Sequence, residues 1–463
     1  MSHTHNANKF HHCLRKQHGA ALLVMLVIVV MGSAAFLVSS LSKATLNIER
    51  DKVTATALAQ AKEALIGYAV KVQISNSNLC IPNCARPGDL PCPDINNDGS
   101  ADSCNGNALG RLPWKTLGLS DLRDGSGERL WYAVSTNFKN NPRTSCSSAG
   151  QPGCLNSDTL GTISVFASDG TQLNNSGGST GAVAVIIAPG DILQRQGGAI
   201  QDRSAAGINT ASNYLDIATV GGITEDNANF SDGSSTNGFI QGRIKDGSGN
   251  TILNDQLLVI TQDNIMLPIQ KRVAAEVRLC LEDYAINNIG RYPWAAPITD
   301  LGSTYNDNSD EYFGRIPDNL DNTRSDSNTG WPFFTYSMDN HWGTCNTHFN
   351  QTPSGWWLNW KELVFYGVAR GFRPNDTNAP SFPSTCSTSG NCLNINAPTT
   401  LARFVVIVAG KKLSTPNQTQ RNSNKSNAFY YLEGGNQNAD QSGGYTFIQA
   451  PTSATFNDTV VFQ

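Results

Sequence analysis

The spacing of apolar positions changes at about residue 43. Residues 20–38 form a run of nineteen uncharged residues, roughly 28 Å long as a helix and close to the thickness of a bilayer core. Downstream, apolar residues recur at helical steps of three and four: Val53, Ala57, Ala61, Leu65 and Tyr68. The pattern predicts one long N-terminal helix, with a transmembrane part over 20–43 and an amphipathic part packed on a globular head.

The remaining chain repeats itself once, in collinear order. The matching segments are AKEALIGYAV (61–70) with VRLCLEDYAI (277–286), PGDLPCPD (87–94) with IGRYPWAA (289–296), GRLP (110–113) with GRIP (314–317), ERLWYAVS (128–135) with ELVFYGVA (362–369), VAVIIA (183–188) with FVVIVA (404–409), NYLD (213–216) with YYLE (430–433), and NDQLLV (254–259) with NDTVVF (457–462). Chance similarity would not keep this order.

Each copy begins with a helical pattern and continues with short β-branched runs between Gly, Asn and Pro clusters. VAVIIA, FVVIVA and ISVFA (163–167) are too short for helices and predict central strands. We therefore predict an α+β fold with two tandem heads, 44–263 and 264–463, in which a helix covers an antiparallel sheet. The second helix is expected near 267–289.

Composition narrows the class of protein. With 463 residues, 39% of them apolar and only 15% charged, the chain is too long for one small domain and too poor in charge for a coiled coil or a charge-rich disordered protein. Its net charge of −4 offers no cationic excess for a phosphate backbone. We predict no nucleic-acid partner.

The flank of the apolar run predicts its orientation. Lys9, Arg15 and Lys16 precede the run, and no acidic residue occurs before Glu49. The positive-inside rule then leaves 1–19 in the cytoplasm as a leader. We expect a single-pass inner-membrane protein with periplasmic heads. A signal peptide cut near Ala35 and an uncut signal anchor are the alternatives.

The cysteines agree with export. Of eleven, Cys13 lies in the leader, which leaves ten, an even number that favours disulfides in an oxidising compartment. Cys146 with Cys154 and Cys386 with Cys392 occupy equivalent places in the two copies, so each pair is expected to close its own loop, and Cys280 is left for Cys345. The pairing within the remaining cluster stays open: Cys80, Cys84, Cys92 and Cys104. Thiolate binding of a metal is the less favoured alternative.

The N-terminus resembles a known family. RKQHG (15–19), the apolar run that follows it and the amphipathic continuation are similar to the N-termini of type IV pilins and type II secretion pseudopilins. The resemblance implies that a prepilin peptidase cleaves between Gly19 and Ala20 and that Ala20 is methylated. It also implies other pilins or pseudopilins as partners, pilin-like heads and a cell-surface filament as an alternative location. The family usually has Glu at the fifth mature position, whereas this chain has Val24, which indicates a minor or tip-type subunit.

DINNDGSAD (94–102) is a candidate calcium loop. Asp94, Asn96 and Asp98 offer oxygen ligands at positions 1, 3 and 5, Gly99 gives the turn at position 6, and Asp102 stands at position 9. This spacing suits a hard cation such as Ca²⁺. The twelfth position is Asn105 in place of the bidentate Glu of an EF-hand, and a disulfide between Cys92 and Cys104 would pre-form the loop. An acidic turn without an ion is the alternative.

No catalytic motif emerges, and we predict that the protein is not an enzyme. The sequence contains no GxSxG, phosphate loop or HExxH, and the histidines after the leader are His341 and His348. The second copy is rich in tryptophan, at Trp294, Trp331, Trp342, Trp356, Trp357 and Trp360. We expect a prepilin-like minor subunit. The alternative is a membrane-anchored periplasmic protein that binds a glycan or a protein, for example through exposed tryptophans.

Overall fold

The computed structural model describes most of the chain after the leader. The residues described are 18–71, 86–204, 207–288, 290–307, 309–320, 342, 345, 349, 355–374, 385–387, 390–396, 399–414, 418–438 and 446–463. Within the first helix, side chains are described at 25, 29–31 and 45–71.

Helix α1 (His18–Lys71) opens the structure. Among its described side chains, Thr54 is the first buried one, and the buried positions then follow at helical spacing: Ala57, Leu58, Ala61, Leu65 and Ala69. The small alanines let the helix approach the sheet closely, and the apolar stripe explains why this half of α1 packs on the head. Val53, placed on the stripe by the sequence analysis, is 48% exposed, so the packed part begins one residue later.

The first half of the chain builds a four-stranded antiparallel sheet in the order β1-β2-β5-β11. Its strands are β1 (Ala108–Arg111), β2 (Trp131–Val134), β5 (Ala182–Ala188) and β11 (Gln256–Thr261). A smaller sheet has the order β4-β3-β8, with β3 (Val165–Phe166), β4 (Gln172–Asn174) and β8 (Phe239–Ile240). Two hairpins complete this half: β6 (Ile217–Val220) with β7 (Ile223–Asp226), and β9 (Ile244–Lys245) with β10 (Thr251–Leu253).

The second half follows the same plan. Helix α2 (Gln262–Asn287) begins directly after β11. A four-stranded antiparallel sheet has the order β12-β13-β16-β18, with β12 (Phe313–Arg315), β13 (Val364–Val368), β16 (Phe404–Val408) and β18 (Thr459–Phe462). A smaller sheet has the order β15-β14-β17, with β14 (Leu393–Asn396), β15 (Thr399–Ala402) and β17 (Thr446–Phe447). Short helix α3 (Trp356–Trp360) precedes β13.

The two large sheets also agree in register. Tyr132 pairs with Gly110 and Ile186, and Tyr366 pairs with Gly314 and Val406. The β-branched runs predicted as central strands at 183–188 and 404–409 lie inside the large sheets as β5 and β16. The third predicted strand, at 163–167, is shorter: β3 has two residues and lies in the middle of the small sheet.

One hydrophobic core extends through both halves, so the two large sheets are packed together and do not form independent domains. The cluster joins residues of α1, β2 and β5 to residues of α2, β13 and β16. Polar contacts reinforce the junction: the Arg86 guanidinium donates to Asn359 Oδ1 at 3.1 Å, Asn156 Nδ2 donates to the Asn359 carbonyl at 2.9 Å, and Ser157 Oγ donates to the Ala409 carbonyl at 2.8 Å.

The fold prediction is wrong in its first element. The sequence pattern predicts that residues 20–43 cross a membrane, whereas among the residues that the structure describes no helix combines the length and the hydropathy that a crossing requires. Apart from residues 25 and 29–31, the side chains of 20–43 lie outside the described residues, so for the rest of this stretch the structure gives only the backbone of α1. An uncharged run in the sequence is weaker evidence for a membrane span than a helix of the structure that has both the required length and the required hydropathy. The transmembrane assignment, and the inner-membrane location that followed from it, are corrected accordingly.

Candidate functional site

Before residue 54, α1 carries several apolar side chains that are exposed to solvent among those the structure describes. We call residues 18–53 the projecting segment. Six of its described side chains are 56–72% exposed: Met25, Val29, Val30, Met31, Leu46 and Ile48. Large apolar side chains gathered on one exposed element are typical of a surface that contacts another molecule. Gly19 and Ala20 lie in the first turn of α1, and their side chains are outside the described residues.

Polar contacts fix the direction in which the projecting segment leaves the head. Gly125 N–H donates to Thr54 Oγ1 at 2.9 Å, and a Cβ on Gly125 would lie 2.3 Å from the Arg50 carbonyl oxygen. Only glycine permits this approach. Arg50 also pairs with Asp191 at 3.3 Å, and Arg243 pairs with Asp51. The helix is therefore held on the loops of the head just before its packed part begins.

The candidate calcium loop is closed by its own hydrogen bonds. The Asp94 carboxylate, 1% exposed, accepts the N–H of Asp98 at 3.1 Å and of Gly99 at 2.6 Å. Asp102 Oδ2 accepts the N–H of Ile95 at 2.7 Å and of Asn96 at 3.3 Å. Burial raises the pKa of Asp94, whereas the hydrogen bond from Ser100 N–H lowers the pKa of Asp98. The disulfide Cys92–Cys104 brackets the loop.

Calcium binding therefore stays a prediction. Within the described part of the chain, no group of three or more His, Cys, Asp or Glu side chains is arranged to hold a metal. Each carboxylate retains lone-pair sites beyond the N–H bonds it accepts, so the loop oxygens keep some capacity for a cation. The geometry itself is explained without one, because the N–H donors alone hold the turn.

If the loop binds Ca²⁺ with the weak affinity usual of extracellular modules, Ca²⁺ at about ten times its dissociation constant should stabilise the protein by about 1.4 kcal/mol. Asp98→Asn should remove this gain, since it deletes a charged ligand at position 5. Asp169→Asn is the matched control, because Asp169 is another turn aspartate of the first half that accepts a nearby N–H. Thermal unfolding with Ca²⁺ and with Mg²⁺ measures the effect, and equal melting temperatures with and without Ca²⁺ would favour the ion-free turn.

Four disulfides join cysteine pairs considered in the sequence analysis. Cys146–Cys154 and Cys386–Cys392 close short loops, Cys280–Cys345 ties α2 to a distant segment, and Cys92–Cys104 flanks the acidic loop. The Cys146–Cys154 loop packs on Leu358 of the other half. Cys80 and Cys84 lie outside the described residues. Disulfides are typical of an oxidising compartment.

The tryptophans that the structure describes in the second half belong to the core. Five of them are at most 6% exposed: Trp294, Trp342, Trp356, Trp357 and Trp360. Trp357 Nε1 donates to Asp318 Oδ2 at 2.9 Å, and its ring contacts those of Phe349 and Trp356. These side chains are therefore not available to stack on a glycan. Trp331, His341 and His348 lie outside the described residues.

A buried pair of acidic residues occurs once in each half, which the sequence analysis did not foresee. In the first half, Asp255 Oδ2 accepts the Asp216 N–H and Asn227 Nδ2, both at 2.8 Å, while Asp216 Oδ2 accepts the Asn254 N–H at 2.7 Å. In the second half, Asp458 Oδ2 accepts the Glu433 N–H and Asn436 Nδ2, both at 3.0 Å, while Glu433 Oε2 accepts the Asn457 N–H at 2.9 Å. The two networks correspond bond by bond.

The surroundings of the pairs are repeated as well. Gln201 Nε2 donates to Asp216 Oδ1 at 2.9 Å, and Gln418 Nε2 donates to Glu433 Oε1. An arginine holds each glutamine, because Arg203 donates to Gln201 Oε1 and Arg421 to Gln418 Oε1, both at 2.9 Å. A signal for these pairs lies in the sequence, in the matches of NYLD with YYLE and of NDQLLV with NDTVVF, but a sequence match alone does not show that the acidic residues of the two segments meet.

Burial dominates the electrostatics of these pairs. It raises the pKa of Asp216 to about 6, and it raises the pKa of Asp255 well above its ordinary value, with repulsion from Asp216 as the second cause. In the second half, burial and the nearby Glu433 charge raise the pKa of Asp458 well above its ordinary value. A buried carboxyl held beside a second acid favours its neutral form.

Comparison with known proteins identifies no relative. No family model, no curated protein and no solved structure matches the chain.

Proposed function

We propose that the chain is a prepilin-like minor subunit that acts in the assembly or the surface contacts of a type IV pilus or a type II secretion pseudopilus. The projecting segment packs along the same segment of neighbouring subunits, and the joined heads face outward. The mechanism is association, and the chemistry of processing belongs to the prepilin peptidase.

The exposed apolar side chains of the projecting segment carry this proposal. Burying one Val, Leu, Ile or Met side chain stabilises a complex by about 1.5–3 kcal/mol, so the six exposed side chains offer a substantial driving force for association. The polar contacts around Gly125 and Thr54 add a fixed exit angle. Because the helix is held at this point, each subunit would present the segment to its neighbours in the same orientation.

The similarity of the N-terminus to prepilins supports the proposal that the chain is a processed pilin-like subunit. It implies processing between Gly19 and Ala20, and the Val at position 24 favours a minor subunit. The burial of Trp356, Trp357 and Trp360 argues against the alternative of a glycan-binding protein. A protein-binding role stays as the alternative that experiment must separate from assembly.

A photo-activated cross-linking residue at Val29 should join subunits into multimers in the native host. Ile286 is the matched control: it is also an exposed apolar residue on a helix, 79% exposed on α2, but it lies outside the projecting segment. We expect a ladder of cross-linked species that contain this chain or other pilins from Val29 and none from Ile286. Equal patterns from the two positions would contradict the assembly proposal, and one adduct with an unrelated protein would favour the alternative.

A further inference from the structure

We propose that the buried carboxyl pairs, Asp216 with Asp255 and Glu433 with Asp458, each hold one proton at neutral pH and act as matched, pH-dependent latches on the last strand of each large sheet. The inference does not depend on the assembly proposal, since it concerns the heads alone.

The geometry disfavours a second negative charge in each pair. Asp255 is fully buried, and no hydrogen-bond donor among the described residues reaches its Oδ1; the same holds for Oδ1 of Asp458, which is 6% exposed. An ionised oxygen without a donor in a dry site is strongly unfavourable. Beyond the effect of burial, the Glu433 charge faces the Asp458 carboxyl and raises its pKa further, so two ionised carboxylates at this site would repel each other without water to screen them.

The nearest cations do not neutralise the first pair. Arg203 faces both carboxyls and lowers the pKa of each, but it also donates to the Gly190 carbonyl and pairs with Glu128 at 3.3 Å. Arg195, which donates to the Leu215 carbonyl, is paired with Asp226. The neighbouring Glu225 is itself acidic and buried. Because these cations are engaged by other acceptors, one proton shared by Asp216 and Asp255 neutralises the second carboxyl.

The second pair has the same arrangement. Arg421 is engaged by Asp158 at 2.9 Å and by the Gly410 carbonyl at 3.1 Å. Lys412 also faces Asp158, at 3.6 Å, and Lys411 pairs with Asp263. The nearby Glu362 is engaged as well: Tyr431 donates to its Oε1, and Lys425 pairs with it at 3.0 Å. Lys425 is therefore not a counterion of the Glu433–Asp458 pair.

Both latches act on the surroundings of α2. Asp255 directly precedes β11, which runs into α2, and Asp458 directly precedes β18, whose Thr459 Oγ1 donates to Gln270 Oε1 of α2 at 3.0 Å. A proton lost from either pair leaves to solvent and places a second negative charge in the dry site. Repulsion between the two charges then separates β11 from the segment of Asp216, or β18 from the segment of Glu433. The packing of both strands against α2 weakens as the pH rises.

The sign of the pH dependence follows from the raised pKa values. In the unfolded chain Asp216, Asp255 and Asp458 ionise near pH 4, whereas in the folded chain they keep a proton to higher pH. The latch is complete below pH 4, and its stabilisation is lost as the pH rises from there to the folded pKa, about 6 for Asp216 and higher for Asp255 and Asp458. The unfolding equilibrium constant should rise by up to about tenfold per pH unit for each pair that stays protonated only in the folded state.

The double variant Asp255→Asn/Asp458→Asn tests the latch, because each Asn places an N–H₂ where the proposed protonated oxygen stands. In the wild type, each pair should change the unfolding equilibrium constant by roughly a hundredfold between pH 5 and pH 7, at about tenfold per pH unit. We expect denaturant unfolding of the double variant to lose most of this pH dependence, and each single variant to lose about half of it. Asp246→Asn is the control, since Asp246 lies in an exposed turn with a lowered pKa and should keep the wild-type slope. An unchanged slope in the double variant would overturn the proposal.

Infrared spectroscopy of the wild type gives a second measurement that needs no variant to fold. A protonated buried carboxyl absorbs separately from a carboxylate, and we expect this band at neutral pH, together with its loss at high pH. A spectrum at neutral pH without the protonated band would contradict the latch even if the variants cannot be prepared.

Discussion

Replacing Arg86 with methionine should lower the free energy of unfolding by about 3 kcal/mol, because it leaves a buried carboxylate without its main partner. Arg86 and Asp89 are both fully buried and lie 3.0 Å apart. The guanidinium also donates to the Thr144 carbonyl at 3.0 Å and to Asn359 Oδ1 at 3.1 Å. One side chain thus neutralises Asp89 and joins the two halves of the molecule.

The expected value lies at the lower end of the range for broken buried pairs, about 3–5 kcal/mol. Arg143 remains as a second cation whose field reaches Asp89. Arg50→Met is the control, because it removes an exposed pair with Asp191, with side chains 54% and 63% exposed, and should cost less than about 1 kcal/mol. Denaturant unfolding measures both variants. Equal losses would mean that the Arg86 contacts do not join the halves as described.

Removing the disulfide between Cys280 and Cys345 should lower the free energy of unfolding by about 4 kcal/mol. The two cysteines are 65 residues apart, and a cross-link over a long loop removes more conformational freedom from the unfolded chain than one over a short loop. Alanine at both positions avoids placing a hydroxyl in the core, where Cys280 and Cys345 are 1% and 4% exposed.

The bond between Cys146 and Cys154 is the matched comparison. Its sequence separation is 8, for which the same loop argument gives about 2.5 kcal/mol. Denaturant unfolding of the wild type and of the two double-alanine variants, all without a reducing agent so that the remaining disulfides stay formed, compares the losses directly. A larger loss for the short loop would indicate that its packing on Leu358 contributes more than loop closure does.

Local patterns in the sequence predicted those parts of the fold that local physics determines. The β-branched runs at 183–188 and 404–409 form β5 and β16. The helix expected near 267–289 is α2, whose buried side chains follow helical spacing. The cysteine pairs at equivalent places in the repeat are joined. In each case the evidence lay within a few residues or in the comparison of the two copies.

Features that depend on distant contacts could not be predicted in this way. Asp216 and Asp255 are 39 residues apart, and nothing in the spacing of the two acids indicates that they meet in a dry site. Tryptophan content gave no information on burial, so surface recognition and core packing looked alike for Trp357 and Trp360. The transmembrane assignment for 20–43 is wrong for a related reason, because the absence of charge along a run does not show where that run lies in the folded protein.

Mass spectrometry of the N-terminus in the native host tests the proposed function most directly. A mature chain that begins with methylated Ala20, and a Gly19→Val variant that keeps its leader, are the results that prepilin-type processing predicts. An intact Met1, or processing that ignores the substitution at Gly19, would contradict the assignment to this class.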